Sequence, residues 1–395
     1  MRFERIDQLR GFAALAVVVC HFAVSAYKGA PNAGEPFLPG LGLVLGFGYL
    51  GVPLFFVISG FCIHFPNARA LAAAGRVEPA WGPFFRRRFW RLYPPYVAAI
   101  ALAVVLALVA TGTLPVSWPA VVCQALLLHT LHPATFDGVN PPAWTLGVEA
   151  QLYLAYPVVL WLIVRRRAWR ALAVALAVTM AYRLFLNFDP MPAPFGGVAW
   201  EFVPARWFEW VLGAVVAEWV AGNAPMPAIA RRWWAAAIVL AAAISIEWHT
   251  WHYGLYAIKE PLYGIAFALV LVVALDRARR AGGADRVAST RIGRYLAGVG
   301  IWSYSLYLVH RPIQLAFEPL VRRVATWPVV IESGFPSSLV LMAATTPVVL
   351  WAARLFHRRV EAPCIAVAQR AGRPRTRVAT DVAGSTGSLA TGTGE

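Results

Sequence analysis

The residues of this sequence best suited to chemistry are ionisable side chains embedded in apolar stretches. A charge inside a spanning helix costs roughly 3 kcal/mol or more, so each one points to a partner or a task. Arg10 and His21 stand eleven residues apart in RGFAALAVVVCH, which is three helical turns plus about 20°, so they share one face with a rise of about 16 Å. A guanidinium suits an oxyanion, and an imidazole exchanges protons near physiological pH. Each also has a plainer reading, Arg10 as an anchor at the lipid surface and His21 as a hydrogen-bonded histidine of a bundle. Glu149 and Tyr153 are i, i+4 neighbours within WTLGVEAQLYLAYP, where they form a structural pair or line a site. In WSYSLYLVHRPIQ, residues 302–314, the side chains of Ser303, Tyr307, His310 and Gln314 fall on one stripe, which faces a partner or a wet cavity rather than lipid. Arg206 and Glu209, three apart, read first as an intramembrane ion pair. FFRRRFWRLYPPY, residues 84–96, gathers Arg86, Arg87, Arg88 and Arg91 among aromatics. That segment anchors a helix at the cytoplasmic surface, or its guanidiniums hold the phosphates of a nucleotide-bearing donor. No ligand cluster has the spacing of a metal site.

Elements that position these groups must lie in a membrane. The chain is 59% hydrophobic and 14% charged, more apolar surface than a soluble fold of this length hides. Ten stretches have the length and apolarity of spanning helices: 6–27, 42–65, 93–112, 144–164, 169–187, 200–221, 233–248, 255–275, 295–317 and 337–356. The apolar stretch 118–130, flanked by Pro115, Pro119 and Pro133, is too short to cross and reads as re-entrant or interfacial. Basic residues test the count. They gather in 66–92, 165–170, 221–232 and 276–294, whereas 28–41, 113–143, 188–199 and 249–254 carry only Lys28. The alternation places both termini in the cytoplasm, provided that 118–130 does not cross; Arg322 and Arg323 break the pattern. The formal charge of +16 therefore sits where short loops meet anionic lipid, and nothing resembles a nucleic-acid motif. Cys20, Cys62, Cys123 and Cys364 form no CxxC pair and read as free thiols. The first apolar run carries Asp7 and Arg10 and no cleavage site, so it is a retained helix. Residues 366–395, rich in Gly, Ser, Thr and Ala, predict a disordered tail. The expected fold is an all-α polytopic bundle of about ten transmembrane helices plus one short re-entrant or interfacial segment.

Taken in order, these blocks resemble the acyltransferase 3 family of bacterial membrane enzymes. The resemblance rests on IDQLRGFAALAVVVCH with its Arg-x10-His spacing, GVPLFFVISGF at 51–61, RRRFWRLYP at 86–94 and WTLGVEAQLY at 144–153. It continues through Arg206, Glu209 and Gly213, SYSLYLVHRP at 303–312 and the closing VEAP at 360–363. Gln8 and Thr145 stand where the family usually has Gly and Ser. The resemblance implies one acyltransferase domain over 1–365 in the bacterial inner membrane, with no bound cofactor and no nucleic-acid partner. It implies O-acyl transfer, with acetyl the expected group, from cytoplasmic acyl-CoA to a hydroxyl of a cell-surface or exported carbohydrate. In the family the Arg and His of the first helix look essential, which places those roles on Arg10 and His21. His21 then acts as general base or transient acyl carrier. Glu149 orients an imidazole or holds sugar hydroxyls. Arg86, Arg87, Arg88 and Arg91 face the donor, and Tyr153, Ser303, Tyr307 and His310 line the substrate side. The alternative is a transporter in which His21, Glu149 and His310 relay protons or bind a solute; the lack of inverted repeats and the cytoplasmic arginine cluster count against it.

Overall fold

The computed structural model describes residues 3–29, 45–188, 198–249, 256–281, 290–325 and 337–371. Among them every regular element is helical, an all-α arrangement. The helices in order are α1 (Glu4–Gly29), α2 (Gly51–Ala74), α3 (Trp81–Thr111), α4 (Trp118–Ala125), α5 (Trp144–Arg166), α6 (Ala168–Phe188) and α7 (Val203–Ala221). They continue with α8 (Trp233–His249), α9 (Tyr256–Arg280), α10 (Arg291–Ile301), α11 (Ser303–Ala325), α12 (Ser337–Phe356) and α13 (Ala362–Ala371), a π-helical turn at His357–Glu361 joining the last two. Hydrocarbon offers no partner to a peptide group, so long apolar runs satisfy their own N–H and C=O groups as helices. Among the described residues five stretches are long and apolar enough to cross a bilayer: Phe47–Ala74, Trp81–Thr111, Pro141–Arg165, Ala168–Asn187 and Ala257–Arg280. Each of the ten apolar stretches overlaps a helix. Two that miss the apolarity of a self-sufficient span carry charge: α1 has Glu4, Arg5, Asp7 and Arg10 near its start, and α7 has Arg206, Glu209 and Glu218.

Several boundaries differ from the apolar pattern. Helix α3 begins at Trp81 rather than 93, so Arg86, Arg87, Arg88 and Arg91 belong to its opening turns and not to a loop. Pro94 and Pro95 lie inside it; the carbonyls they deprive of partners belong to half-buried Trp90 and exposed Arg91, where the loss is tolerable. The expected span 295–317 is two helices, broken at Trp302. Helix α10 runs opposite to α1, with Leu296 against Gly11 and Gly300 against Asp7. A Cβ on Gly11 would fall 2.0 Å from the Leu296 oxygen, and one on Gly300 1.8 Å from the Asp7 oxygen, so only glycine allows this approach. His310 accordingly rises about 10 Å from the start of α11 at Ser303, not the roughly 22 Å of an unbroken helix from Tyr295. Segment 118–130 holds the eight-residue α4 and a single turn at His129–Leu131, too short to cross. Helix α13 covers the first residues of the expected tail; 372–395 lie outside the described residues, as do 30–41, 189–197, 250–254 and 282–289 of the expected loops.

Two prolines show how the bundle closes its backbone. Pro312 in α11 has no N–H for the Leu308 carbonyl one turn earlier, and Asn140 Nδ2, from the connection before α5, donates to that oxygen at 2.9 Å. Pro261 in α9 leaves the Ala257 carbonyl in the same state, and Arg183 Nε from α6 donates to it at 2.7 Å while pairing with Glu260. Elsewhere α2 and α7 meet backbone to backbone: a Cβ on Gly60 would lie 1.9 Å from the Trp210 oxygen, and one on Gly213 1.9 Å from the Val57 oxygen.

Candidate active site

One cavity of about 130 Å³ runs between α1, α2, α3, α5 and α11. Its lining follows helical periodicity: Val52, Phe55, Phe56, Ser59, Cys62 and Ile63 from α2, and Thr145, Leu146, Glu149 and Tyr153 from α5. Val52 to Ile63 is eleven residues, a rise of about 16 Å, which gives the cavity its long axis. Polarity separates along that axis. Arg10 and Arg88 lie near Cys62 and Tyr153, toward the Ile63 end, with Arg91 near Arg88, whereas Phe55, toward the Val52 end, faces the Tyr307 ring at 6.1 Å.

Arg88 and Arg91 share a face of α3, being three residues apart. The Arg88 guanidinium lies 5.6 Å from the Phe84 ring centre and 5.8 Å from that of Tyr153, and its buried Nε has no hydrogen-bond partner. An orphaned buried donor beside a cavity is a place for an acceptor atom of a ligand. Behind this face Tyr156 packs on Phe84 at 5.3 Å and Trp81 at 6.0 Å. The Tyr156 hydroxyl is held by His64 Nδ1 at 3.0 Å and Asn67 Nδ2 at 2.6 Å, and His64 Nε2 meets buried Glu218 at 2.6 Å. Glu149 accepts from Ser59 Oγ at 2.8 Å and from the Tyr153 hydroxyl; its hydrogen bonds therefore do not go to an imidazole. Arg206 pairs with Glu209 at 3.1 Å, as its spacing predicts, and also with Glu201 at 2.6 Å.

The two histidines come together away from this lining. Their ring centres are 5.1 Å apart and His310 Nε2 is 3.3 Å from His21 Nδ1. The partners fix the protons. Carbonyls only accept, so His310 Nδ1 carries a hydrogen toward the Tyr307 oxygen at 2.8 Å, and His21 Nδ1 one toward the Val17 oxygen at 2.9 Å. His310 Nε2 is then a lone pair facing the His21 Nδ1 hydrogen, and in a neutral ring His21 Nε2 is left as the basic nitrogen. Gln314, one turn beyond, donates to the Val18 oxygen at 3.2 Å. The structure thus gathers Arg10, Arg88, Arg91, Glu149, Tyr153, Ser303 and Tyr307 on one cavity, pairs His21 with His310 beside it, and leaves Arg86 and Arg87 outside the lining.

Four contributors had weak sequence signals. Glu361 lines the cavity and accepts from Ser305 Oγ at 2.5 Å, with His357 Nδ1 at 2.9 Å; its VEAP block was visible but carried no role. Asn140, Thr145 and Tyr304 act through contacts distant in sequence: Thr145 Oγ1 donates to the Tyr307 hydroxyl at 2.8 Å, and the Tyr304 hydroxyl to the Leu92 oxygen at 2.7 Å. Among the described residues no group of His, Cys, Asp and Glu could hold a metal ion.

Comparison with known proteins finds relatives by sequence. The chain is 28% identical to "Acyltransferase MdmB" of Streptomyces mycarofaciens over 387 residues, 92% of either chain. It is 30% identical to "Nodulation protein 10" of Rhizobium leguminosarum bv. viciae over 207 residues, 47% of this chain and 52% of that protein. A shorter match, 37% over 101 residues, links 26% of the chain to 44% of "Protein 2 in picA locus" of Rhizobium radiobacter. No solved structure matches. The family model described as an acyltransferase domain matches residues 3–354, and the chain belongs to the acyltransferase 3 family.

Proposed function

We propose that this membrane acyltransferase moves an acyl group, acetyl in the first instance, from cytoplasmic acyl-CoA to a hydroxyl of a carbohydrate-type acceptor. The observation that carries the reading is the division of labour along one axis: guanidiniums with an unspent donor at one end, and a histidine pair with a free basic nitrogen beyond the other. The charged end faces the cytoplasm if the basic loops do. Arg88 and Arg91, with Arg10 deeper, then receive the donor's phosphates, which guanidiniums bind through paired hydrogen bonds. His21 Nε2 takes the proton of the acceptor hydroxyl; the oxygen attacks the thioester carbonyl, the C–S bond breaks, and the CoA thiolate leaves and regains a proton. The Val17 oxygen, with the His310 Nε2 lone pair beside it, holds the tautomer that leaves His21 Nε2 free. Ser59 and Tyr153 hold Glu149 at the cavity wall, where it can accept from donor or acceptor. The relative "Acyltransferase MdmB", aligned over nearly its whole length, supports acyl transfer. No observation favours the transporter alternative, and the family match is to an acyltransferase domain.

The test uses purified protein with labelled acetyl-CoA and membranes of the host as acceptor source. His21→Ala is expected to lower transfer about 100-fold or more, the range for loss of a general base. Arg88→Ala is expected to weaken CoA binding about tenfold, as for one lost hydrogen bond to a charged group. Near-parental transfer by His21→Ala at equal expression refutes its role, and unchanged CoA affinity in Arg88→Ala refutes the donor site.

A further inference from the structure

The donor cavity stops short of the base. Neither His21 nor His310 is among its lining residues, and the side chain that touches both regions is Tyr307. Its ring lines the cavity, stands 6.1 Å from Phe55 across the apolar end, and lies 5.7 Å from the His310 ring on the other side. Its hydroxyl is latched to the start of α5, donating to the Pro142 oxygen at 2.7 Å and accepting from Thr145 Oγ1 at 2.8 Å. Tyr307 is buried, and its helix is held one residue further on by the Asn140 bond to Leu308. A thioester resting on the arginines therefore has the Tyr307 ring between its cavity and the His310 ring.

We propose that Tyr307 is a gate between the acyl-donor cavity and the His21–His310 pair, held shut by its hydroxyl latch and opened by rotation of the phenol to admit the acyl thioester. The inference rests on the acyl-CoA reading above and adds a positioning residue to it. A shut gate has a chemical purpose. His21 would activate water as readily as an acceptor hydroxyl, and hydrolysis would break the same C–S bond, placing the acyl group on water oxygen and the proton on CoA sulfur. Keeping the thioester apart from His21 until an acceptor is in place suppresses that loss.

The experiment measures CoA released from acetyl-CoA in detergent without acceptor, for the parent, Tyr307→Phe and Thr145→Val, each also combined with His21→Ala. Tyr307→Phe keeps the ring and loses both bonds of the latch, so acceptor-free hydrolysis should rise about 30-fold, the population change from two lost hydrogen bonds of ordinary strength. Thr145→Val should raise it less, because the bond to the Pro142 oxygen remains. Both increases should vanish in the His21→Ala background, which a general loosening of the fold would not produce. Unchanged hydrolysis in folded, CoA-binding Tyr307→Phe overturns the gate, and so does an increase that survives His21→Ala. Failure of the underlying reading looks different: the parent would then release no CoA even with host membranes present.

Discussion

Replacing Asn140 with Leu is the sharpest test of how the connection before α5 holds α11. Asn140 is 1% exposed and its Nδ2 donates at 2.9 Å to the Leu308 oxygen, whose helical partner is missing because position 312 is proline. The Asn140 Oδ1 has no partner, so nothing is lost with it, and the backbone bonds from residue 140 to the Gln124 side chain do not depend on the Asn140 side chain. Leucine keeps the branching of asparagine but is bulkier, so its crowding enters both backgrounds of a cycle and cancels, leaving one event: a buried carbonyl losing its donor, at a cost of about 1–3 kcal/mol. Pro312→Ala returns an N–H that can bond to Leu308 within the helix. In that background Asn140→Leu should cost roughly 1–2 kcal/mol less, which is the coupling between two sites far apart in sequence. The assay is a double-mutant cycle on reversible unfolding in mixed micelles, followed by circular dichroism. Equal penalties in the two backgrounds would refute the argument, since Asn140 would then be acting through something other than the proline vacancy.

Gly60→Ala should destabilise by about 1–3 kcal/mol or prevent folding, because the new carbon falls on the Trp210 carbonyl of a packed helix. Gly82→Ala, with nothing within 4 Å, should be neutral or stabilising by up to about 1 kcal/mol; equal effects in the same unfolding assay would remove the close-approach explanation. Arg183→Leu should cost about 3–5 kcal/mol by leaving Glu260 without its nearest cation. Adding Glu260→Gln should recover part of that, but not the roughly 1–3 kcal/mol due to the Ala257 carbonyl, and full recovery would show that the proline vacancy in α9 costs nothing.

What was legible in the sequence follows from the range of the interaction concerned. Helices came from local apolarity, and the pairing of Arg206 with Glu209 from a spacing of three, because the physics spans one turn. The shared cavity of Arg10, Arg88, Glu149 and Tyr307 was approached through blocks whose order resembles a family, not through any local rule. The break at Trp302 was missed because the run from Arg291 to Ala325 has no glycine or proline at the break itself; the cause is the contact of α10 with α1 through Gly11 and Gly300. The start of α3 was placed too late because Pro94 and Pro95 resemble a helix beginning, and only the exposure of Arg91 shows why they are tolerated inside one. Sequence shows which carbonyl each intrahelical proline strands, Leu308 by Pro312 and Ala257 by Pro261, but not that Asn140 and Arg183 answer it.

That question also connects the stability of the bundle to its chemistry. Two neighbouring positions of α11, the Leu308 oxygen and the Tyr307 hydroxyl, are fastened to residues 140–145, one by Asn140 and the other by Pro142 and Thr145. His310, whose Nε2 lies 3.3 Å from His21 Nδ1, follows within the same turn and donates to the Tyr307 oxygen. A proline at 312 therefore does more than bend a helix: it frees a carbonyl that lets the connection before α5 grip α11 at the level of the gate. Loosening that grip should change both unfolding and the leak of acyl groups to water, whereas the equally buried repair of Pro261 by Arg183, among α6 and α9, should change unfolding alone. Stability lost at either proline is comparable in kind; under the proposed mechanism it is the one in the helix of Tyr307 that also reaches the reacting atoms.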